Sequence, residues 1–277
     1  MKSFRNVFVF AFAAVLAGTL ALAVDATHSW GNYHWARTVN PFTLKLGDNV
    51  SSSWDTYLAT ASTDWNVSSV LETAIVAGGT NKSRGKLTPR NCVPTSGRVE
   101  VCSAKYGANG WLGIASIWVS GSHIVQGTAK MNDTYFNTAA YSTVAWKRLV
   151  MCQEIAHAFG LDHQDDKFDN LNRGTCMDYT NAPAGGVYEG FDYGPSNEHP
   201  NDHDYEQLGI IYGHNDDTTT VGQTTSSRGN GKAGVDLSDD PKQWGREVKK
   251  DSRGRTSLYE RDLGQGRKVF THVFWAN

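Results

Sequence analysis

The sequence predicts an α+β fold. Three observations carry that expectation: short β-prone runs separated by Gly-rich turns between residues 39 and 131, one strong helical segment from about 143 to 160 that is apolar on two sides, and a hairpin signal near the C-terminal end. The 277 residues are 39% hydrophobic and 19% charged, with net charge −2, which allows a sizeable core and excludes disordered, collagen-like and coiled-coil classes. A near-neutral chain has no global field to hold a polyanion, so nucleic acid is not an expected partner.

Taken in order, residues 1–23 read as a secretory signal peptide. Val7 to Ala23 is apolar and uncharged, follows Lys2 and Arg5, and ends in the small-x-small site Ala21-Leu22-Ala23. An uncleaved anchor is the alternative, since the length just permits a span. No second run of spanning length follows, so the mature protein is expected to be soluble, secreted and free of membrane once the signal is removed; a monomer is expected. Export also gives the four cysteines a reading: two disulfides, with three pairings possible, of which Cys92 with Cys102 and Cys152 with Cys176 are favoured. The first would close a short Pro/Gly-containing loop.

A short N-terminal segment, 24–38, leads to a strand at Val39 to Leu46, where Phe42, Leu44 and Leu46 alternate. Ser52-x-x-Asp55 has the form of a capping box, and Trp54, Leu58, Ala61 and Trp65 recur at helical spacing. Val70 to Ala77 reads as a buried strand stopped by Gly78-Gly79, and Arg98 to Lys105, Gly113 to Val119 and His123 to Met131 as further strands. In the strong helix Trp146, Leu149, Val150, Gln153 and His157 share one side, while Cys152, Ile155 and Phe159 make a second apolar side. Gly160 is placed to leave the helix through a left-handed turn. Asp162 to Pro200 reads as loops, Asp202 to Tyr212 as a last helix, and 215–242 as a linker or long loop. The remainder, 243–277, is a β-rich extension whose strands Ser257 to Leu263 and Lys268 to Trp275 flank Gly264-Gln265-Gly266. The charges from Lys249 to Arg255 read as a solvated surface. Asn49, Asn66, Asn81 and Asn132 begin glycosylation sequons.

The informative string is Gln153-Glu154-Ile155-Ala156-His157-Ala158-Phe159-Gly160-Leu161-Asp162-His163. It resembles the elongated zinc-binding motif of the metzincin metallopeptidases, H-E-x-x-H-x-x-G-x-x-H, at every fixed position except the first. Downstream, Cys176-Met177-Asp178-Tyr179 is similar to their Met-turn. The resemblance implies that residues 39–214 are a metzincin-like zincin domain, with a twisted mixed sheet, a buried active-site helix and a loop-rich part holding Met177 as a floor. It implies Zn2+ as cofactor, a peptide or protein as substrate, and endopeptidase chemistry by a metal-activated water. By analogy, an edge strand near His123 to Met131 would bind extended peptide through main-chain hydrogen bonds.

Physical reasons accompany the resemblance. Residues 153 and 157 are one helical turn apart on one face, and a chain reversal at Gly160 lets His163 complete a tripod of Gln153, His157 and His163. Glu154, one position round, is the general base. Tyr179 reads either as an oxyanion-stabilising phenol, as in the astacin and serralysin branches, or as an ordinary buried tyrosine. Gln153 is the departure: its amide oxygen is a weaker donor than imidazole. Two outcomes follow, a peptidase that retains zinc or a catalytically inactive pseudo-peptidase that acts as a secreted peptide- or protein-binding module. His199 and His203 could form a second metal site but read better as loop and helix-cap residues. About 15 residues separate the expected cleavage site from the first strand, too few for a folded propeptide, so latency would need another device.

Overall fold

The computed structural model describes residues 28–79, 89–223 and 239–276. The expected signal peptide, the Asn81 sequon and most of the expected linker lie outside the described residues. Among those described, no helix is long and apolar enough to cross a membrane.

The fold is mixed α+β. The elements in chain order are β1 (His34–Trp35), β2 (Phe42–Asn49), α1 (Asp55–Trp65), β3 (Leu71–Ala77), β4 (Val99–Ala104), β5 (Trp111–Ser120), β6 (His123–Asn132), α2 (Asp133–Phe136), α3 (Val144–His157), β7 (Val187–Tyr188), β8 (Phe191–Asp192), α4 (Asp202–Ile211), β9 (Arg246–Lys250), β10 (Thr256–Gly264) and β11 (Arg267–Trp275). One large sheet runs in the order β3-β2-β4-β6-β5-β11-β10-β9, with β1 added on β6. Its first half is parallel, through β3, β2, β4 and β6, and from β5 onward every pairing is antiparallel.

Helix α3 packs on β5, β6, β11 and α1, which is why its sequence is apolar on two sides. Thr143 caps it, with Oγ1 accepting from the backbone N–H of Trp146 at 3.3 Å. Gly160 follows at φ +101°, where an added Cβ would meet the Tyr33 carbonyl oxygen at 2.6 Å, so both the turn and the close approach require glycine there. Helix α4 carries a full capping box between Asn201 and Asp204.

Several local expectations are corrected. Ser52 does not cap α1: the N-cap is Trp54, with no side-chain cap bond, and its indole Nε1–H instead donates to Asp133 at 2.7 Å. Strand β3 is an edge strand with an alternating exposed face, because only β2 flanks it, so it is not buried on both sides. Strand β6 lies between β4 and β5 and is no edge for a peptide to join. The charges of residues 249–255 are not simply solvated. Asp251 is buried, accepts from the backbone N–H groups of Arg253 and Arg255, and pairs with the Arg255 guanidinium. Arg253 stacks on Phe168 at 4.0 Å. Asn49 and Asn132 are buried, with side chains committed to Glu100 and to the loop before β5, so the fold withholds both as glycosylation sites.

The sheet extends past β5 because the last hairpin has two apolar faces. On one, Phe270 and Phe274 join the main core with α3. On the other, Val273 and Tyr259 close over Trp111, Ile114 and Trp244. The turn uses φ of +77°, +57° and +70° at Gly264, Gln265 and Gly266, which is why glycine flanks the tip.

Candidate metal centre and its surroundings

Gln153, Glu154 and His157 lie on the buried side of α3. His157 Nδ1 is 2.8 Å from the carbonyl oxygen of Leu161 in the reversal after Gly160. A carbonyl only accepts, so Nδ1 carries the proton and Nε2 presents a lone pair. The same reversal brings His163 back, with its ring centroid 4.7 Å from that of His157 and nearly perpendicular to it. Tyr179 lies 4.2 Å from His163 on its other side, stacked on Phe168.

The loop-rich segment is shaped by buried polar bonds. Asn197 accepts from the N–H groups of Gly174 and Thr175 and donates to Asp178, while Thr175 donates to Asp204 and accepts from the Met177 N–H. This network holds Met177 in the core. The Cys152–Cys176 disulfide joins α3 to the turn, and the Cys92–Cys102 disulfide ties the loop before β4 to that strand. Next to the first bridge, Gln153 Nε2 donates to the Cys176 carbonyl at 2.8 Å, leaving Oε1 as its remaining acceptor.

Sequence reasoning missed the contribution of the C-terminal hairpin. His272 of β11 stacks on His157, with centroids 4.1 Å apart and planes 15° from parallel. Tyr179 donates its hydroxyl to the Val273 carbonyl at 3.3 Å. Lys249 of β9 bridges Asp162 at 3.0 Å and Asp166 at 2.9 Å, and those two carboxylates lie 3.3 and 3.1 Å from His163 Nδ1. Trp30 covers the same place from the N-terminal side, donating its indole N–H to the His157 carbonyl and packing on His272. Gly113 of β5 was also missed: any Cβ there would fall 2.5 Å from Glu154 Oε1, so glycine makes the room that the carboxylate occupies. A lone His or Gly in a strand carries no sequence signal for such a role.

Electrostatics follow burial. With no compensating bond, burial pushes the Glu154 carboxyl well above its ordinary range. Burial, reinforced by His272 and His163, pushes His157 well down, and burial takes His272 down to about 3, so both rings stay neutral at physiological pH. Burial also opposes a charged His163, yet Asp162 and Asp166 outweigh it and raise its pKa. Both Glu154 oxygens, Gln153 Oε1, His163 Nε2 and both His272 nitrogens are buried without a hydrogen-bond partner. Native interiors rarely leave such groups unsatisfied, and this donor set of imidazole, amide and carboxylate fits a divalent transition metal with its water. His199 and His203 do not form a second site: His199 pairs with Asp64, and His203 faces Glu206 within α4.

No family model matches the chain, and no curated protein matches it. Among solved structures, the chain is similar to high choriolytic enzyme 1, a hatching enzyme zinc-protease from Oryzias latipes (medaka fish), at 11% identity and TM-score 0.35, covering 65% of this chain and 94% of that one. It is also similar to myroilysin, at 11% identity and TM-score 0.33, covering 65% of this chain and 97% of that one.

Proposed function

We propose that the protein is a secreted zinc-dependent endopeptidase, held latent by its own C-terminal hairpin. The observation that carries the reading is Glu154: a buried carboxylate with neither oxygen partnered, one helical position from Gln153 and on the same helix as His157, whose ring packs against that of His163. Gln153 Oε1, His157 Nε2 and His163 Nε2 are the proposed ligands. A zinc ion there supplies Lewis acidity toward the scissile carbonyl and lowers the pKa of water at the site toward about 7.

The chain's own residues do the rest. Glu154, with its pKa raised by burial, takes a proton from the attacking water and returns it to the leaving amine nitrogen. Tyr179, once its hydroxyl leaves the Val273 carbonyl, donates to the developing oxyanion. Asp162 and Asp166 orient His163 from behind, and Leu161 does the same for His157.

Access is the remaining requirement. β11 runs antiparallel along β5, with His272 opposite Ala115 and Phe274 opposite Gly113, so it occupies the main-chain groups of β5 with which an extended substrate would pair. Displacement of β11 would free that edge, the Tyr179 hydroxyl and the face of His157 together. The test is zinc content of the purified protein with hydrolysis of an unfolded protein substrate by wild type and Glu154→Gln. Zinc with activity that the substitution abolishes is the expected result. A folded, metal-free protein that binds peptides without cutting them would overturn the enzyme reading in favour of a binding module.

A further inference from the structure

We propose that His34, His123, His214 and Asp216 form a second metal site, a closed zinc clamp that fastens three separate stretches of chain together and is independent of the centre on α3. His34 lies in β1, His123 opens β6 as its parallel register partner, and His214 and Asp216 follow α4. Their donor atoms converge. His34 Nε2 is 3.3 Å and His123 Nε2 3.2 Å from the same oxygen, Asp216 Oδ1. His214 Nε2 is 3.2 Å from His34 Nε2 and 3.7 Å from Asp216 Oδ1. Donors placed tetrahedrally about an ion at about 2.0–2.1 Å stand about 3.3–3.4 Å from one another; the donor atoms of His34, His123 and Asp216 all lie within 4.8 Å of one another, and His214 Nε2 stands beside two of them as the fourth ligand of the proposed site.

The protons point the same way. His34 Nδ1 is 2.9 Å from the Asn32 carbonyl oxygen, so it donates there, which leaves Nε2 as the ring nitrogen whose lone pair a metal would take. That lone pair faces a carboxylate oxygen and a second imidazole nitrogen, and a cation between them satisfies all of these acceptors at once. The other carboxylate oxygen, Asp216 Oδ2, is held by the Arg37 backbone N–H at 3.1 Å and by its guanidinium at 2.8 Å, so the acid is oriented from behind with Oδ1 presented. Arg37 is anchored in turn on the carbonyls of Tyr212 and His214.

Three imidazoles and one carboxylate select a zinc-class ion over calcium or magnesium, and a full set of four protein ligands is that of a structural site. Its mechanical effect would be to lock the stretch carrying Trp30 and β1, and the segment after α4, onto the start of β6. The segment after α4 is also tied to the β1 stretch by the Asp216 N–H to the Arg37 carbonyl and the Thr220 N–H to that of Ala36, and to β6 by the Thr220 hydroxyl donating to the Ile124 carbonyl.

The experiment compares metal content of the full chain after zinc loading and gel filtration, measured by mass spectrometry, for wild type, His123→Gln/His214→Gln and His157→Ala/His163→Ala. His123 and His214 are the more solvent-exposed histidines of the set, so the rim variant is expected to keep the fold, verified by an unchanged far-UV spectrum in chelator. The expected result is about one zinc per chain fewer in the rim variant than in wild type, whatever the state of the α3 centre, and an ion retained by the α3 variant. In that α3 background, zinc at a hundredfold over its Kd is expected to raise Tm by about 5–10 °C, a gain abolished by adding the rim substitutions. Equal zinc content in wild type and the rim variant overturns the proposal. If the α3 variant fails to fold, the wild-type comparison alone decides it.

Discussion

The histidine clusters at α3 and at the start of β6 are built oppositely. The α3 cluster is deep, with Glu154, His157 and His272 almost wholly buried, polar atoms unpartnered, and two rings stacked face to face. The rim cluster is half open, and the donor atoms of His34, His123 and Asp216 already lie together, with His214 Nε2 3.2 Å from that of His34. His272 lies over the face of His157, with centroids 4.1 Å apart, so in this closed arrangement it caps that ring. On the proposed reading, the deep cluster acts in a state in which β11 has moved away and the rim cluster in the state seen. One suits chemistry that needs room, the other a fastening.

The largest effect expected to sharpen this contrast is at Glu154. Glu154→Gln should lower peptidase turnover by about 10²–10⁴-fold while leaving Tm unchanged or higher, since it removes an unpaired buried carboxyl. Turnover on an unfolded substrate beside a thermal melt checks it, and retained activity breaks the distinction between the two clusters. Next, Gln153→His should tighten zinc binding at the α3 centre by about tenfold or more in chelator competition. Unchanged affinity would mean that residue 153, which already bonds the Cys176 carbonyl, does not serve the ion.

A smaller effect is expected at His272. His272→Ala should raise activity by a few-fold, because it loosens the cap, at a cost of about 1–3 kcal/mol in stability for the lost packing, with zinc content unchanged. Loss of zinc from this variant would make His272 a ligand after all. The smallest effect contrasts the carboxylates of the two regions. Burial pushes Asp178, in the turn beside the deep cluster, up to about 7, whereas at the rim Asp216 overcomes its own desolvation through Arg37 and His34 and is held down to about 2. For Asp178 the folded pKa is above the unfolded value of about 3.9, so its contribution to stability declines as pH rises from about 4 to 7. Asp178→Asn should flatten that decline and stabilise the protein by about 1 kcal/mol at pH 7.5, read from denaturant melts across the pH range. The Asp216 contribution has the opposite sign, present at neutral pH and lost only as pH falls toward 2.

Much of the secondary structure was legible because its signals are local. Alternation at Phe42, Leu44 and Leu46, the helix start near Thr143, the stop at Gly160 and the glycines around Gln265 each act within a few residues of where they are written. The deep cluster was half legible for the same reason: Gln153, Glu154, His157 and His163 are spaced by one helix and one turn. What escaped was pairing at long range. Nothing in Lys268 to Trp275 specifies β5 as its neighbour, so His272, the Tyr179 bond to Val273 and the covered edge could not be read. Likewise His199 and His203, close in sequence, do not meet, whereas His34, His123 and His214 do.

The sequence by itself determined the elements, the chemistry available on α3 and the turn that returns His163, since these depend on periodicity, caps and backbone conformations that each residue carries with it. Only the tertiary structure decided that the last hairpin closes the sheet over that chemistry and that three distant histidines share an acid at the rim. Those arrangements depend on which apolar faces bury one another, a collective minimum over the whole chain and not a property of any short stretch of it.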